Sequence, residues 1–305
     1  MTDEGGTGED FRARRWKLPP ESFVIAPDRE PDPTDLIDQH TWTELTWLPD
    51  DVSLRTTEHH GSTFRSANEL WGYWLSLSLD VQSLVDDARE DALALGCLAV
   101  TDELQASAYA ALTGFYRQGI AGLRPALEAM VVGALFRAFP DPKEFTAWAD
   151  GLREGRLWWQ TVRKRLITVE PYSLFSSDEG FFSERGLLSF LYGRLSAFTH
   201  SRPFYTDEDG RRIPTTNVGL WGGSNGPVYE SRSVHMWAAY YFGVTLSCLL
   251  LVGLSEPELL RLPRPTDIPY RELLTKTLEY QPAMHPSVTP VMEHLRHVFR
   301  GPETR

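Results

Sequence analysis

Between Ser233 and Ser255 the chain carries no formal charge, and the eighteen residues from Trp237 to Leu254 are largely apolar. A helix built from such a segment has no side that favours water, so other elements or a bilayer must surround it. Gly243, Thr245 and Ser247 interrupt the run, and long polar stretches with helical periodicity flank it. These features predict a buried central helix rather than an anchor, and no association with a membrane. A chain of 305 residues, 42% of them hydrophobic, is large enough to enclose it.

The flanking sequence predicts what does the enclosing. Residues 1–33 are rich in Gly, Pro and charge and read as a disordered or extended tail. Residues 34–305 read as a single helical domain, with a core bundle over about 66–254 and C-terminal helices over 255–300. A weak helix is expected over Asp35–Leu48, ended by Pro49. Ser66, with Glu69 three residues on, is expected to cap a helix that runs to Leu95 and breaks at Gly96.

A long helical run over Thr101–Phe139 follows, interrupted by Pro125, with Leu112, Phe115, Gly119, Leu123, Leu127 and Met130 at three- to five-residue spacing. Shorter helices are expected after Pro142 and over Leu157–Ile167. Asp178–His200 is expected to form a further helix, with Leu187, Leu191, Leu195 and Phe198 as its apolar stripe and Gly186, Ser189, Gly193 and Ala197 as a small-residue seam. Residues Ser201–Arg232 lose all periodicity and form one long irregular loop. No strand alternation is sustained anywhere, so the fold class is all-α, a multi-helix bundle.

Composition narrows function. The formal net charge of −12 excludes a uniformly polyanion-binding surface, so any nucleic-acid contact needs a local basic site. Arg supplies 26 of the 30 basic residues and suits phosphate recognition. Two cysteines, Cys97 and Cys248, both in apolar stretches, cannot build a disulfide framework or a clustered metal site. With a Gly-rich, acidic N-terminus that lacks an apolar run, they predict a cytoplasmic protein with buried thiols. His59-His60 point apart, His294 and His297 lack carboxylates beyond Glu293, and no phosphate loop or dinucleotide fingerprint occurs, so no metal and no cofactor are expected.

Chemistry is best placed at Leu191-Tyr192-Gly193-Arg194-Leu195-Ser196-Ala197-Phe198-Thr199-His200. A histidine where an amphipathic helix meets a loop is well positioned for proton transfer. Arg194 and His200 converge only if the helix unwinds near Phe198, which Pro203 and Arg202 before it favour. Ser196, one turn earlier, is a candidate partner for the imidazole. Arg117, Arg124 and Glu128 share one helix face, readable as an ion-pair stripe or as an anion-binding stripe facing the same cleft as His200. Arg153, Arg156, Arg163, Lys164 and Arg165 form a local basic patch, a solvated face or a hold for RNA phosphates.

Arg194 and His200, with five residues between them, match the signature of the HEPN superfamily, an Arg followed by four to six residues and then a His, and the chain resembles that superfamily over roughly residues 109–254. It also looks like a group of bacterial helical proteins carrying an Arg-x-x-Leu-Glu-type helix, here Arg124, Leu127 and Glu128 with Pro125 inserted, and a later Leu-Ser-x-x-x-His segment, here Leu195, Ser196 and His200. The resemblance implies a helical bundle that pairs as a homodimer, with both motifs lining one cleft. It further implies metal-independent endoribonuclease activity of the kind found in stress and phage defence. His200 would then act as general base on a ribose 2′-hydroxyl, and Arg194 would stabilise the charged transition state, with Ser196, Arg202, Arg117, Arg124 and Glu128 in support.

Two other readings stand beside it. In one, the same cleft binds a protein partner without catalysis. In the other, Gly222-Gly223-Ser224-Asn225-Gly226 serves as a hydrolase nucleophile turn completed by Asp267 and His285 or His294; Asn217–Trp221 is readable as the strand before it, but Pro227-Val228-Tyr229 begins no convincing helix and no alternating strands and helices precede it.

Overall fold

The chain folds as an all-α bundle, seen here in a computed structural model. It divides into Met1–Thr43 and Glu44–Arg305. The structure describes residues 45, 47–87, 90–151, 157–200, 204–206, 210–214, 227–257, 277 and 285–300, all within the second unit. The expected tail of residues 1–33 lies outside the described residues, as do Arg202 and the whole Gly222–Gly226 turn. The helices are α1 (Leu48–Gln82), α2 (Ala92–Leu112), α3 (Tyr116–Ala138), α4 (Pro142–Ala149), α5 (Trp159–Leu166), α6 (Leu187–Thr199), α7 (Ser231–Ser255) and α8 (Val288–Arg300). Inside the stretch expected to be an irregular loop, β1 (Phe204–Thr206) and β2 (Arg212–Pro214) pair as an antiparallel hairpin, with Tyr205 opposite Ile213.

Local chemistry sets the helix starts. Asp91 accepts from the Ala94 amide at 2.8 Å to cap α2. Asp141 accepts from the Lys143 and Glu144 amides to cap α4, with Pro142 in its first turn. The Glu230 carboxylate accepts from the amides of Arg232 and Ser233 and so begins α7. Each cap satisfies donors that the first helical turn leaves unpaired. The N-terminus of α6 has no capping side chain of its own. Its Leu187 amide instead donates at 3.1 Å to Ser287, a hundred residues away in sequence.

The hub is α3, which packs on α2, α5, α6 and α7. Helices α2 and α3 form an antiparallel hairpin turned by Gly114, whose φ of +87° favours glycine and whose absent Cβ leaves room for the Val228 backbone. The two helices touch backbone to backbone at three glycines: a Cβ on Gly119 would lie 2.8 Å from the Ser107 carbonyl oxygen. A Cβ on Gly96 would lie 2.9 Å from that of Ala129, and one on Gly133 2.9 Å from that of Ala92. Tryptophans join α1 to α2, Trp74 donating to the Cys97 carbonyl at 2.9 Å and Trp71 to that of Thr101 at 3.0 Å.

The uncharged run is α7, and it is buried almost throughout, from Val234 at 0% exposure to Leu254 at 3%. Both α3 and α7 are long and apolar enough to cross a membrane, but in this fold most of each lies inside the bundle. At one end of the bundle Arg137 ties three elements together, bonding Asp91 at 3.0 Å and pairing with Glu256 just beyond α7.

Several boundaries differ from the sequence expectations. Pro49 lies in the first turn of α1, where no backbone donor is needed, and the weak helix expected over Asp35–Leu48 falls almost wholly outside the described residues. Ser66 is buried inside α1, so its capping-box pattern is coincidental. The break falls after Gln82, not at Gly96, and Gly96 lies within α2 as a packing glycine. The run Thr101–Phe139 divides at Thr113–Phe115, and α3 passes through Pro125 unbroken. Helix α6 starts only at Leu187, with Tyr172–Phe175 as a short 3-10 turn before it. The small-residue seam expected on α6 packs against nothing at Gly193, which is exposed; close helix approach is made by α2 and α3 instead.

Candidate functional site

The side chains with the most chemistry meet where α3 crosses α6. The apolar stripe of α6 (Leu187, Leu191, Leu195, Phe198) is buried, which turns positions 192, 196 and 200 along another face at four-residue steps. Helix α6 is unbroken through Thr199, and the His200 amide still donates to the Ser196 carbonyl at 3.0 Å. The unwinding near Phe198 that would bring Arg194 to His200 does not occur. Six positions along a continuous helix leave side chains about 120° apart around its axis, and the Arg194 guanidinium lies over the Phe190 ring at 5.2 Å.

His200 meets a different arginine. Arg124, on α3, places Nη1 2.7 Å from His200 Nε2. A guanidinium can only donate, so Nε2 accepts and the neutral imidazole carries its proton on Nδ1. The rest of the guanidinium is engaged too. Nε donates to Glu128 at 3.0 Å, and Nη2 lies 2.9 Å from the same carboxylate and donates to the Tyr192 hydroxyl at 3.1 Å. Of the five N–H donors a guanidinium has, three make hydrogen bonds among the described residues, and the ion pair of Nη2 with Glu128 adds to their hold. The Arg124 side chain is only 13% exposed, whereas Glu128 is 39% exposed and His200 faces solvent. A mostly buried cation therefore presents an exposed imidazole.

Two further groups hold this arrangement. Arg117 donates through Nε and Nη2 to the Phe198 carbonyl at 3.2 and 3.1 Å, so a cation caps the last turn of α6 beside His200. Tyr192 stacks on Trp159 with centroids 4.2 Å apart and planes 5° from parallel, and the Arg124 guanidinium sits 5.0 Å from the Tyr192 ring centroid. Ser196 donates to the Tyr192 carbonyl at 2.7 Å, a bond within its own helix.

Of the residues singled out in the sequence, the fold brings together Arg117, Arg124, Glu128 and His200, and it leaves Arg194 on another face of α6. Tyr192 and Trp159 were not anticipated. The four-residue step from His200 back to Tyr192 was the available signal for the first; nothing local marks the second. Of the expected basic patch, Arg153 and Arg156 lie outside the described residues, and two of the others are engaged elsewhere. Arg163 is buried, bonding the Phe182 carbonyl at 3.0 Å and Glu184 at 3.2 Å, and Arg165 pairs with Glu144 at 2.6 Å.

Elsewhere, His59 and His60 lie within α1. His285 bonds Ser287 at 2.8 Å, and the His294 ring packs edge-on to Phe175. Cys97 and Cys248 are free and fully buried, and burial raises both thiols well above their usual range. Among the described residues no cluster of His, Cys, Asp or Glu has the arrangement of a metal site. Comparison with known proteins matches the chain to no family model, no curated protein and no solved structure.

Proposed function

We propose that the chain is a metal-independent endoribonuclease whose working pair is Arg124 and His200, with Tyr192 and Glu128 orienting the arginine. The observation that carries this reading is the 2.7 Å bond from a largely buried guanidinium to the acceptor nitrogen of a solvent-facing histidine. The pair is poised to exchange partners. When a phosphodiester enters, Nη1 moves from Nε2 to a non-bridging phosphate oxygen, an exchange that gains charge assistance. That frees the Nε2 lone pair to take the proton of the adjacent 2′-hydroxyl.

O2′ then attacks phosphorus, Arg124 balances the charge gathering on the non-bridging oxygens, and the P–O5′ bond breaks. The proton collected by His200 goes to the leaving 5′-oxygen directly or through water. The products are a 2′,3′-cyclic phosphate and a 5′-hydroxyl. The HEPN-like resemblance belongs to this proposal, with Arg124 taking the role first assigned to Arg194, and so does the expected homodimer.

The bond to Glu128 favours a second reading, because an arginine already neutralised by an i,i+4 carboxylate is also what a purely structural network contains. On that reading the face binds a protein partner and performs no chemistry. Incubation of purified protein with total RNA in the presence of a chelator separates the two. Cleavage is expected for wild type, with a loss of about 100-fold or more in Arg124→Ala and His200→Ala and little change in Arg194→Ala. Intact RNA with the wild-type protein, or equal cleavage by all variants, refutes the nuclease.

A further inference from the structure

We infer that the cleft beside Tyr192 is a stacking subsite for an unpaired nucleobase, which makes single-stranded RNA the substrate class. The inference rests on the nuclease reading above and extends it to substrate recognition. The cleft encloses about 700 Å³, and its wall includes Trp158, Trp159, Gln160, Thr161, Arg163 and Tyr192. Tyr192 belongs to both places: its ring forms part of the cleft wall, and its hydroxyl accepts from Arg124 at 3.1 Å. A ligand in the cleft therefore lies within a nucleotide's reach of the Arg124–His200 pair.

The lining selects the kind of ligand. Trp158, at the N-cap of α5, is 71% exposed, although an indole of that size normally finds cover. It stands at the rim beside Trp159, whose ring already stacks on Tyr192. A flat aromatic ring laid on Trp158 would cover it.

Gln160 and Thr161 supply donors and acceptors suited to the edge of a heterocycle and poorly suited to an alkyl chain. A second phosphate is disfavoured, because the Glu184 carboxylate also lines the cleft and Arg163, the one cation of the wall among the described residues, is bound to it and to the Phe182 carbonyl. A planar, uncharged group with polar edges fits, and a nucleobase attached to the phosphate at Arg124 is such a group. The base must leave any helix to reach Trp158, so a paired strand cannot bind in this way.

The test uses binding, which does not depend on cleavage. Fluorescence anisotropy with a 2′-O-methyl single-stranded oligonucleotide, whose blocked 2′-oxygen prevents the reaction, compares wild type, Trp158→Ala and Trp158→Phe. Because the side chain is exposed, neither substitution disturbs packing. Expected are a weakening of about ten-fold or more for Trp158→Ala, a change within about three-fold for Trp158→Phe, and much weaker binding of the matching duplex.

Equal affinity of wild type and Trp158→Ala, equal binding of strand and duplex, or no binding of the strand by wild type overturns the subsite. Cleavage that depends on Arg124 and His200 with no effect of Trp158 leaves the nuclease standing without it. Trp158-dependent binding by a protein that cleaves nothing supports the subsite and removes the nuclease.

Discussion

Ser107 shows how one hydroxyl can serve two buried groups. It donates to the Gly119 carbonyl at 2.7 Å and accepts from the Trp237 indole at 3.0 Å, linking α2, α3 and α7 at one point inside the core. Replacing it with Ala strands a buried donor and a buried acceptor together. Ser107→Ala should lower unfolding free energy by about 1–3 kcal/mol in urea denaturation; a loss under about 0.5 kcal/mol would mean that neither group needs the bond. Arg124 also works by converging partners, three hydrogen bonds and an ion pair holding it in one pose. Its role was partly legible, because Arg124 and Glu128 are spaced as helix neighbours. That His200 is their partner, and Arg194 is not, depends on how α6 lies across α3.

At the scale of elements, the α2–α3 hairpin is set by glycines whose value is invisible to helix propensity. An exposed helical Gly→Ala change normally stabilises by about 1 kcal/mol. Gly193, with open space around it, should follow that rule. Gly119 should reverse it, since the new methyl would press on the Ser107 carbonyl and force the two helices apart. Thermal unfolding should therefore rise for Gly193→Ala and fall for Gly119→Ala, by the equivalent of about 1–3 kcal/mol in the latter. A rise for both would show that the hairpin relaxes freely. The apolar stripe of α6 was readable from its periodicity. Its start at Leu187 was not, because the cap is Ser287, far away in sequence.

Across the whole molecule, the start of α7 is held against the kink of α1 by a histidine. His60 interrupts α1 with φ −132° and ψ 19°, is buried, and bonds the Ser231 hydroxyl at 3.0 Å. Its ring lies edge-on to His235 with centroids 4.9 Å apart, and Tyr229 stacks on the neighbouring His59. Burial lowers its affinity for a proton, and His235 and His59 lower it further.

The folded state thus holds this proton less well than the unfolded chain. Above the ordinary histidine range both states are neutral and His60 costs nothing. As pH falls through that range the unfolded chain protonates first, so stability drops until the folded group titrates too. Unfolding free energy measured between about pH 8 and about pH 5 should fall, and His60→Gln should flatten the fall. An unchanged pH slope in the variant would assign the effect to other groups.

What the chain composition decided by itself was the class of fold. An uncharged run long enough to need enclosure, apolar stripes at helical spacing and prolines at helix starts leave a helical bundle as the way to satisfy both apolar surface and backbone. These signals are local, so they survive reading one segment at a time. Tertiary packing decided which distant groups meet: Ser287 at the start of α6, Arg117 at its end, His200 on Arg124, and Trp159 on Tyr192. Their contacts join residues between 33 and 100 positions apart. Such contacts depend on helix crossing and rotation, which many side chains set together and no short pattern encodes.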